Sequence, residues 1–548
     1  MKQQLRSYIL ITLCSICLIF PLVSKAQAVF ENPKHQVYDF LSRQAQKGNI
    51  DFRDLIQPIT RKQIAEQLAL LQADAEKLSR TEQQELIFYQ KEFAEFNDNL
   101  KDTTTFFKKD QAGRWRFLSV RKDGFLINGD PSLSLTGTAS TPGNRSKWAN
   151  GLEFWGHAGS HFAFQFSFQD NTERGKGIDS LRIFSAEQGV VRTENRNSKL
   201  LNYSDFNGSI SYSWKNGLVS IGQDQLTYGY GENGRVVLSD KVPAYPFIRL
   251  DYHPLKWLSF NYTHAFLQSG IIDSARTYNK GNDIFGNYRE AYVPKFMASH
   301  SLTFFPVKGL SLSVGESMVY SDRVDAGYLI PIMFFKVYDQ YASRYKITTG
   351  SNGQFFLSAS SRDHLKNTHL YSTLFIDEIR LGDAFNSSKS RNQIGFNFGG
   401  SVTDLFVPYL TLGAEYTRIN PFTYQNLIPA QDYTSQKYAL GDWMGANADR
   451  LMGYIKYTPV AKLKTTIYVQ HTRKGDPGSL LDQYFAVPQP GFLSTVLRSD
   501  TQIQFKASYE WFNNLYVEGN VLWNTEKNIL NQGNQKLQQV QLNVRFGL

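Results

Sequence analysis

One pattern constrains this chain more than any other: apolar and polar residues alternate strictly, in run after run, along most of its length. Phe162, Phe164, Phe166 and Phe168 file along one face with Ala163, Gln165 and Ser167 opposite. Val540, Leu542, Val544, Phe546 and Leu548 alternate in the same way with Gln541, Asn543, Arg545 and Gly547. Ile248 to Phe266 reads as one hairpin, its arms broken at His253-Pro254-Leu255-Lys256. A period of two is that of a β-strand with one apolar and one polar face. A single hairpin of this kind would suit a soluble sandwich equally well, so repetition and length decide.

About eighteen such runs lie between residues 131 and 546, most with the roughly 9–11 residues a tilted membrane strand needs. Short turns such as Trp214-Lys215-Asn216-Gly217 and Phe305-Pro306-Val307-Lys308-Gly309 alternate with long Tyr/Asn/Gly-rich connections at 170–207, 223–245, 268–295, 320–353, 419–448 and 473–500. Short turns at one end and long loops at the other describe an all-β transmembrane β-barrel of about 18 antiparallel strands. An even count returns both chain ends to the periplasm and puts every long connection on the outer side. Mean composition hides this architecture. The chain is only 41% hydrophobic, yet it carries 40 Phe and 30 Tyr, as a barrel with aromatic girdles should. A secreted array of β-sandwiches is the soluble alternative.

The N-terminal region differs. Lys2 and Arg6, the apolar run Tyr8 to Phe20 and Ala26-Gln27-Ala28 read as a signal peptide over residues 1–28. Both cysteines, Cys14 and Cys17, fall inside it, so the expected mature chain has no disulfide, Cys-ligated metal or cysteine nucleophile. Residues 29–112 show helical spacing instead. Ile64, Leu68, Leu71, Ala75 and Leu78 make one stripe and Leu86, Tyr89, Phe93 and Phe96 another. Thr60-Arg61-Lys62-Gln63 and Ser79-Arg80-Thr81-Glu82 are capping boxes that open two helices. A small N-terminal α-helical periplasmic domain is expected there, a connecting hairpin at 113–130, and the outer-membrane barrel from 131 to 548.

Catalytic signals are sparse. Gly229-Tyr230-Gly231-Glu232-Asn233-Gly234 spells a dinucleotide fingerprint, but that motif needs a helix after it, and Arg235 to Pro246 carries two prolines. No HExxH or GxSxG motif is present. Asp377-Glu378 lies on a strand, where alternation lets only one carboxylate face the lumen. No catalytic residue, metal or cofactor is expected. The net charge of +10 suits a surface that faces anionic head groups, and export argues against nucleic acid. The loops are more informative. Arg174, Lys176, Arg192 and Arg196 crowd one connection, Tyr228, Tyr230 and Arg235 the next, and Trp443 and Arg450 a third. Aromatic faces for sugar rings beside cations for uronate or phosphate groups suit an acidic polysaccharide, and these nine residues are the candidate contacts.

A resemblance supports that reading. Ser220-Ile221-Gly222-Gln223-Asp224-Gln225-Leu226-Thr227-Tyr228-Gly229-Tyr230-Gly231, followed by Val237-Leu238-Ser239-Asp240 and Pro243, resembles the signature region of Wzi-type capsule assembly proteins. Gln57-Pro58-Ile59-Thr60-Arg61, Phe375-Ile376-Asp377-Glu378 and Gly445 to Asp449 are similar to further segments of that family. Where the family usually has Trp-Gly-Pro-Gly, this chain has Tyr228-Gly229-Tyr230-Gly231. The resemblance implies an outer-membrane barrel with a periplasmic helical bundle and a non-enzymatic, lectin-like role in attaching or organising capsular or other surface polysaccharide. Outer-membrane lipid and the barrel-insertion machinery are the other expected partners. A channel for small solutes or oligosaccharides, or a surface adhesion or motility protein, are the alternatives.

Overall fold

The computed structural model describes residues 28–547 apart from 97–99, 142, 177, 179–183, 186–188, 193–198, 282–287, 347–349, 379–391, 487–489, 513 and 529–532. The proposed signal peptide therefore lies outside the described residues, except for its last, Ala28. Among the described residues eighteen antiparallel strands close into one barrel. In chain order they are β1 (Phe125–Ser140), β2 (Arg145–Ala158), β3 (Phe162–Gly175), β4 (Leu200–Trp214), β5 (Gly217–Asp224) and β6 (Tyr245–Leu255). Then come β7 (Leu258–Ile272), β8 (Tyr292–Phe304), β9 (Leu310–Ser321), β10 (Asn352–Arg362), β11 (Thr368–Glu378) and β12 (Gln393–Thr403). The last six are β13 (Leu410–Ile419), β14 (Ala448–Val460), β15 (Leu463–Gly475), β16 (Val496–Phe512), β17 (Leu515–Asn528) and β18 (Gly533–Phe546). Neighbours in sequence pair throughout, and β18 pairs with β1 to close the wall.

The period-two files fall as the alternation predicts. Phe162, Phe166, Phe168, Ile210, Ile221, Val540 and Leu542 are exposed on the outer surface, while Ser211, Ser213, Ser220, Ser259, Ser301, Thr303 and Ser313 are buried inside. Exposed apolar side chains in a closed sheet are stable only against lipid, and closure leaves no strand edge unpaired there. The chain is an outer-membrane β-barrel.

Among the described residues three α-helices precede the wall: α1 (Val37–Gln46), α2 (Arg61–Ala73) and α3 (Arg80–Glu92). Both expected capping boxes form, Thr60 with Gln63 and Ser79 with Glu82. Leu41, Ile64, Leu68, Leu71 and Leu86 build their common core. The helices close the short-turn end of the barrel. Lys308 Nζ donates to the Gly48 carbonyl at 2.6 Å, Arg362 Nη1 to that of Phe52 at 2.6 Å, and Arg53 Nη1 to that of Lys256 at 2.9 Å. The strand Trp115–Lys122 turns back onto the start of β1 and also pairs with Thr103–Lys109, and the barrel wall begins at Phe125, inside the segment 113–130 read from sequence as a connecting hairpin.

Glu82 ties this unit to the barrel. Its carboxylate accepts from Arg43 Nη1 at 2.5 Å and Lys47 Nζ at 2.7 Å, and both cations also reach Asp404 in the turn before β13. Burial pushes the Glu82 carboxyl up, but Arg43, Lys47 and the Ser79 amide outweigh burial and hold it down at about 2. A depressed carboxylate stabilises the folded state above its unfolded value of 4.5 and loses that contribution as pH falls toward 2. Acidification through that window should therefore loosen the helices before the sheet. Hydrogen exchange across α1–α3 and across β15–β18 would show whether the two part company. On the wall, Val540→Arg should cost about 2–4 kcal/mol in refolding into lipid vesicles, and Gln541→Arg, facing the lumen, far less.

Candidate functional site

The lumen is filled on one side and open on the other. The filling comes from two connections, 225–244 between β5 and β6 and 420–447 between β13 and β14, which fold down into the barrel. Leu226, Tyr228, Val236, Val237, Leu238, Val242, Tyr424, Tyr433 and Leu440 make an apolar core there against Phe247, Phe356 and Phe375 of the wall. The tyrosines seat themselves by their hydroxyls. Tyr424 donates to the Val236 carbonyl at 2.6 Å, Tyr433 to that of Val237 at 3.0 Å, and Tyr228 to Ser313 Oγ at 2.7 Å. Asp377 holds the second connection by accepting from the Tyr424 amide at 2.7 Å, which explains its lone inward carboxylate.

The first connection also meets the N-terminal unit inside the barrel. Thr227-Tyr228 pairs antiparallel with Ile56-Gln57, the Gly229 amide donates to the Leu55 carbonyl at 2.9 Å, and Tyr230 Oη donates to Asp54 at 3.0 Å. The glycine-rich run serves this packing and no helix follows it. Gly234 has φ +151°, and a Cβ on Gly231 would lie 2.0 Å from the Gly234 carbonyl oxygen. Arg235 Nε folds back onto the Gly229 carbonyl at 2.8 Å.

Four expected contacts thus lie in the lumen and not on an outer loop: Tyr228, Tyr230, Arg235 and Arg450. Their Tyr/Gly-rich surroundings look solvated in sequence, but a polar lumen accepts the same composition. Arg450 has no exposed surface; its Nη2 contacts Glu415 at 3.1 Å and Asp442 at 3.2 Å. Arg174 and Lys176 are exposed at the long-loop rim, and alternation along β3 turns Arg174 outward. Arg192 lies on a short strand, Gly189–Arg192, that pairs with β4; Arg196 lies outside the described residues.

Trp443 is different. The residue is 41% exposed, its Nε1 donates to the Asn233 carbonyl at 2.6 Å, and the Arg450 guanidinium lies 5.7 Å from the ring centre. It lines a cavity of about 650 Å³ between the filled half of the lumen and the wall of β1–β3 and β14–β18. Arg145, Lys147, Lys241 and Lys506 line the same space, with Glu173 and Glu232 as its acidic members. Glu232 is engaged by Lys456 at 3.0 Å, and Glu173 accepts from Tyr203 Oη at 3.1 Å. Between the cations runs a wall of amides: Gln470 with Gln502 at 2.9 Å, Gln504 with Asn520 at 2.9 Å, then Gln539 and Gln541. A second cavity, about 1080 Å³, shares Thr136, Lys147, Lys506, Asn520 and Gln541 with the first and runs down to Lys34, His35, Gln36 and Asp39 beside α1.

One sign of this wall is present in the sequence, though none of the nine candidate contacts belongs to it: Gln502, Gln504 and Lys506, like Gln539, Gln541 and Asn543, recur every second residue.

No protein-family model and no curated protein matches the sequence. Among solved structures, the Escherichia coli outer-membrane protein Wzi aligns over 95% of this chain and all of its own, with a TM-score of 0.57 at 14% identity. The fold is similar to that of Wzi. That protein is described as a carbohydrate-binding β-barrel involved in Group 1 capsule assembly. The Pseudomonas aeruginosa barrel OccK5 aligns over 81% of the chain with a TM-score of 0.42 at 11% identity, and Acinetobacter baumannii OccAB4 over 77% with 0.44 at 9%. At those scores the likeness carries no argument. The similarity to Wzi spans helices and barrel together, as the resemblance in sequence implied.

Arg450→Ala would strand the Glu415 and Asp442 carboxylates in the lumen, a loss on the order of 3–5 kcal/mol. The expected result is a loosened filling, read as current fluctuations in planar bilayers that the wild-type protein lacks.

Proposed function

We propose that this barrel is a non-catalytic, lectin-like protein that binds an acidic polysaccharide in the cavity beside Trp443 and so attaches or organises capsular or related glycan at the cell surface. One observation carries the reading: a fixed, exposed indole faces a polar cavity lined by four cations and a ladder of amides. Indole faces suit the C–H faces of sugar rings, amides suit hydroxyls in both donor and acceptor roles, and Lys and Arg suit uronate or phosphate groups. The cavity volume falls within the range of small-molecule sites, enough for a short stretch of chain rather than a whole polymer. The helical unit belongs on the periplasmic side in this reading, and the long loops face outward.

A second reading, a solute channel, has one observation in its favour: the two cavities share lining residues and extend from the long-loop end toward α1. The two folded connections and the helices across the short-turn end weigh against it. Uptake that falls on gene deletion while capsule stays on the cells would favour the channel.

The binding reading is tested with oligosaccharides of alternating uronic acid and neutral sugar in isothermal calorimetry. Trp443→Ala should weaken binding by up to about tenfold, the upper end of the roughly 0.5–1.5 kcal/mol of an aromatic contact. Lys147→Gln with Lys506→Gln should weaken acidic glycans more than their carboxyl-reduced forms. Equal loss for both forms would remove the cations from the account.

A further inference from the structure

The outward file of the barrel carries three neighbouring side chains with polar groups at one level. Glu316 stands near the middle of β9, His300 pairs with it in register on β8, and Tyr262 pairs with His300 on β7. Below this level, toward the short turns, Leu302, Phe304, Leu312 and Val314 are exposed to lipid. From this level to the long-loop end, Ala298, Phe296, Met318 and Tyr320 on the same faces are buried. His264, the histidine that breaks the outward file of β7, is buried too, with its Nε2 2.8 Å from Tyr320 Oη.

The cover is the connection between β9 and β10. It leaves the rim at Asp322, runs down the outside through a turn at Ala326–Leu329, and returns as helix α4 (Phe335–Lys346). Tyr328 and Phe335 pack on the wall beside Tyr320 and His300. The start of α4, at the depth of Glu316, would leave amides unpaired in hydrocarbon, at several kcal/mol each. Glu316 supplies the partner: it accepts from the Phe335 amide at 2.5 Å and the Lys336 amide at 3.4 Å. His300 lies between that carboxylate, at 3.1 Å, and the Pro331 carbonyl, at 2.9 Å, so both of its ring nitrogens have a partner and the carboxylate is not left facing lipid. Asp339, also buried, accepts from Tyr328 Oη at 3.1 Å and the Ser351 amide at 2.8 Å.

Among the described residues nothing covers the opposite face. Ile332 is 85% exposed, and Phe334, Val337, Tyr341 and Tyr345 are exposed with it. Twelve residues of helix rise about 18 Å, close to the roughly 15 Å of one leaflet's hydrocarbon. Among the described residues no helix is long and apolar enough to cross a membrane, but α4 has the length to reach across half of one. Its upper end carries Arg344, with Arg323 at the start of the connection, both exposed at the head-group end.

We propose that residues 326–345 are a re-entrant element embedded in the leaflet at the long-loop end, and that its outer face is a docking surface for the acyl chains of a phosphate-bearing lipid whose head group meets Arg323 and Arg344. Depth, the sealed inner face and charge at the rim place this surface apart from whatever the lumen binds.

The chain's two cysteines both lie in the expected signal segment, so Ile332→Cys, Val337→Cys and Tyr345→Cys each give a uniquely labelled mature protein. In the full-length barrel folded into phosphatidylglycerol-containing vesicles, spin labels at 332 and 337 should collide with oxygen in preference to a water-soluble nickel chelate, and the label at 345 should be intermediate. Preferential collision with nickel at 332 would overturn the proposal. So would exclusion of both reagents, which would mean that a second copy or another protein covers the face. The head-group part is read by native mass spectrometry with phosphatidylglycerol. Arg323→Gln with Arg344→Gln should reduce retained lipid by about fivefold per arginine, and unchanged retention would refute it.

Discussion

Backbone N–H and C=O groups at membrane depth find no water, and the seam between β18 and β1 is where this chain satisfies the last of them. The seam runs through eight register pairs, from Gln539 with Ser140 to Phe546 with Leu133. Beyond Leu133, β1 continues toward the short turns without β18, and the strand Trp115–Lys122 takes the vacant edge from Leu118 to Lys122. The hairpin that looks like a mere connection thus completes the wall where the last strand stops. With no free edge, side chains divide into a lipid population and a lumen population, and everything else in the molecule is built on that division.

Inside, the two halves of the lumen handle charge in different ways. In the filled half, cations are matched with carboxylates and removed from water: Arg362 with Asp54 at 2.9 Å, Arg450 with Asp442 and Glu415. Such pairs fix position more than they add stability, because desolvation consumes most of their attraction. They pin connection to wall and wall to helical unit. In the open half, Lys147, Lys506 and the amides of β15–β18 remain beside a cavity, where desolvation costs little until something enters. A glycan could exploit that half without disturbing the other, since Trp443 is part of the seal yet shows its ring to the open side.

How much of this was legible in sequence follows from what alternation encodes. A strand between lipid and water must present one apolar face, so strand number, order and facing could be read from residues such as Phe162 to Phe168. The capping boxes at Thr60 and Ser79 marked two helices by the same local logic. The course of the connections was not legible, because Tyr, Gly, Asn and Asp satisfy a polar lumen as well as bulk water; Tyr228, Tyr230 and Arg450 therefore looked exposed. Nor does alternation say which inward residues a folded connection leaves uncovered. Gln502, Gln504 and Lys506 sit on an ordinary polar face, and only the path of residues 420–447 makes that face part of a cavity.

The departures from alternation are informative in their own right. A carboxylate on the outward file at mid-depth, such as Glu316, is incompatible with bare lipid, so its presence in a sound barrel requires a cover that satisfies its lone pairs. The same chain supplies one: an amphipathic segment, Phe335-Lys336-Val337-Tyr338-Asp339-Gln340-Tyr341, follows a connection long enough to double back. Each side solves the other's problem. The helix needs an acceptor for its first amides where no water reaches, and the carboxylate needs donors, so the wall and its cover are stable only together. An outward-facing charge in a barrel sequence is therefore best read as a pointer to a neighbouring segment that folds over it.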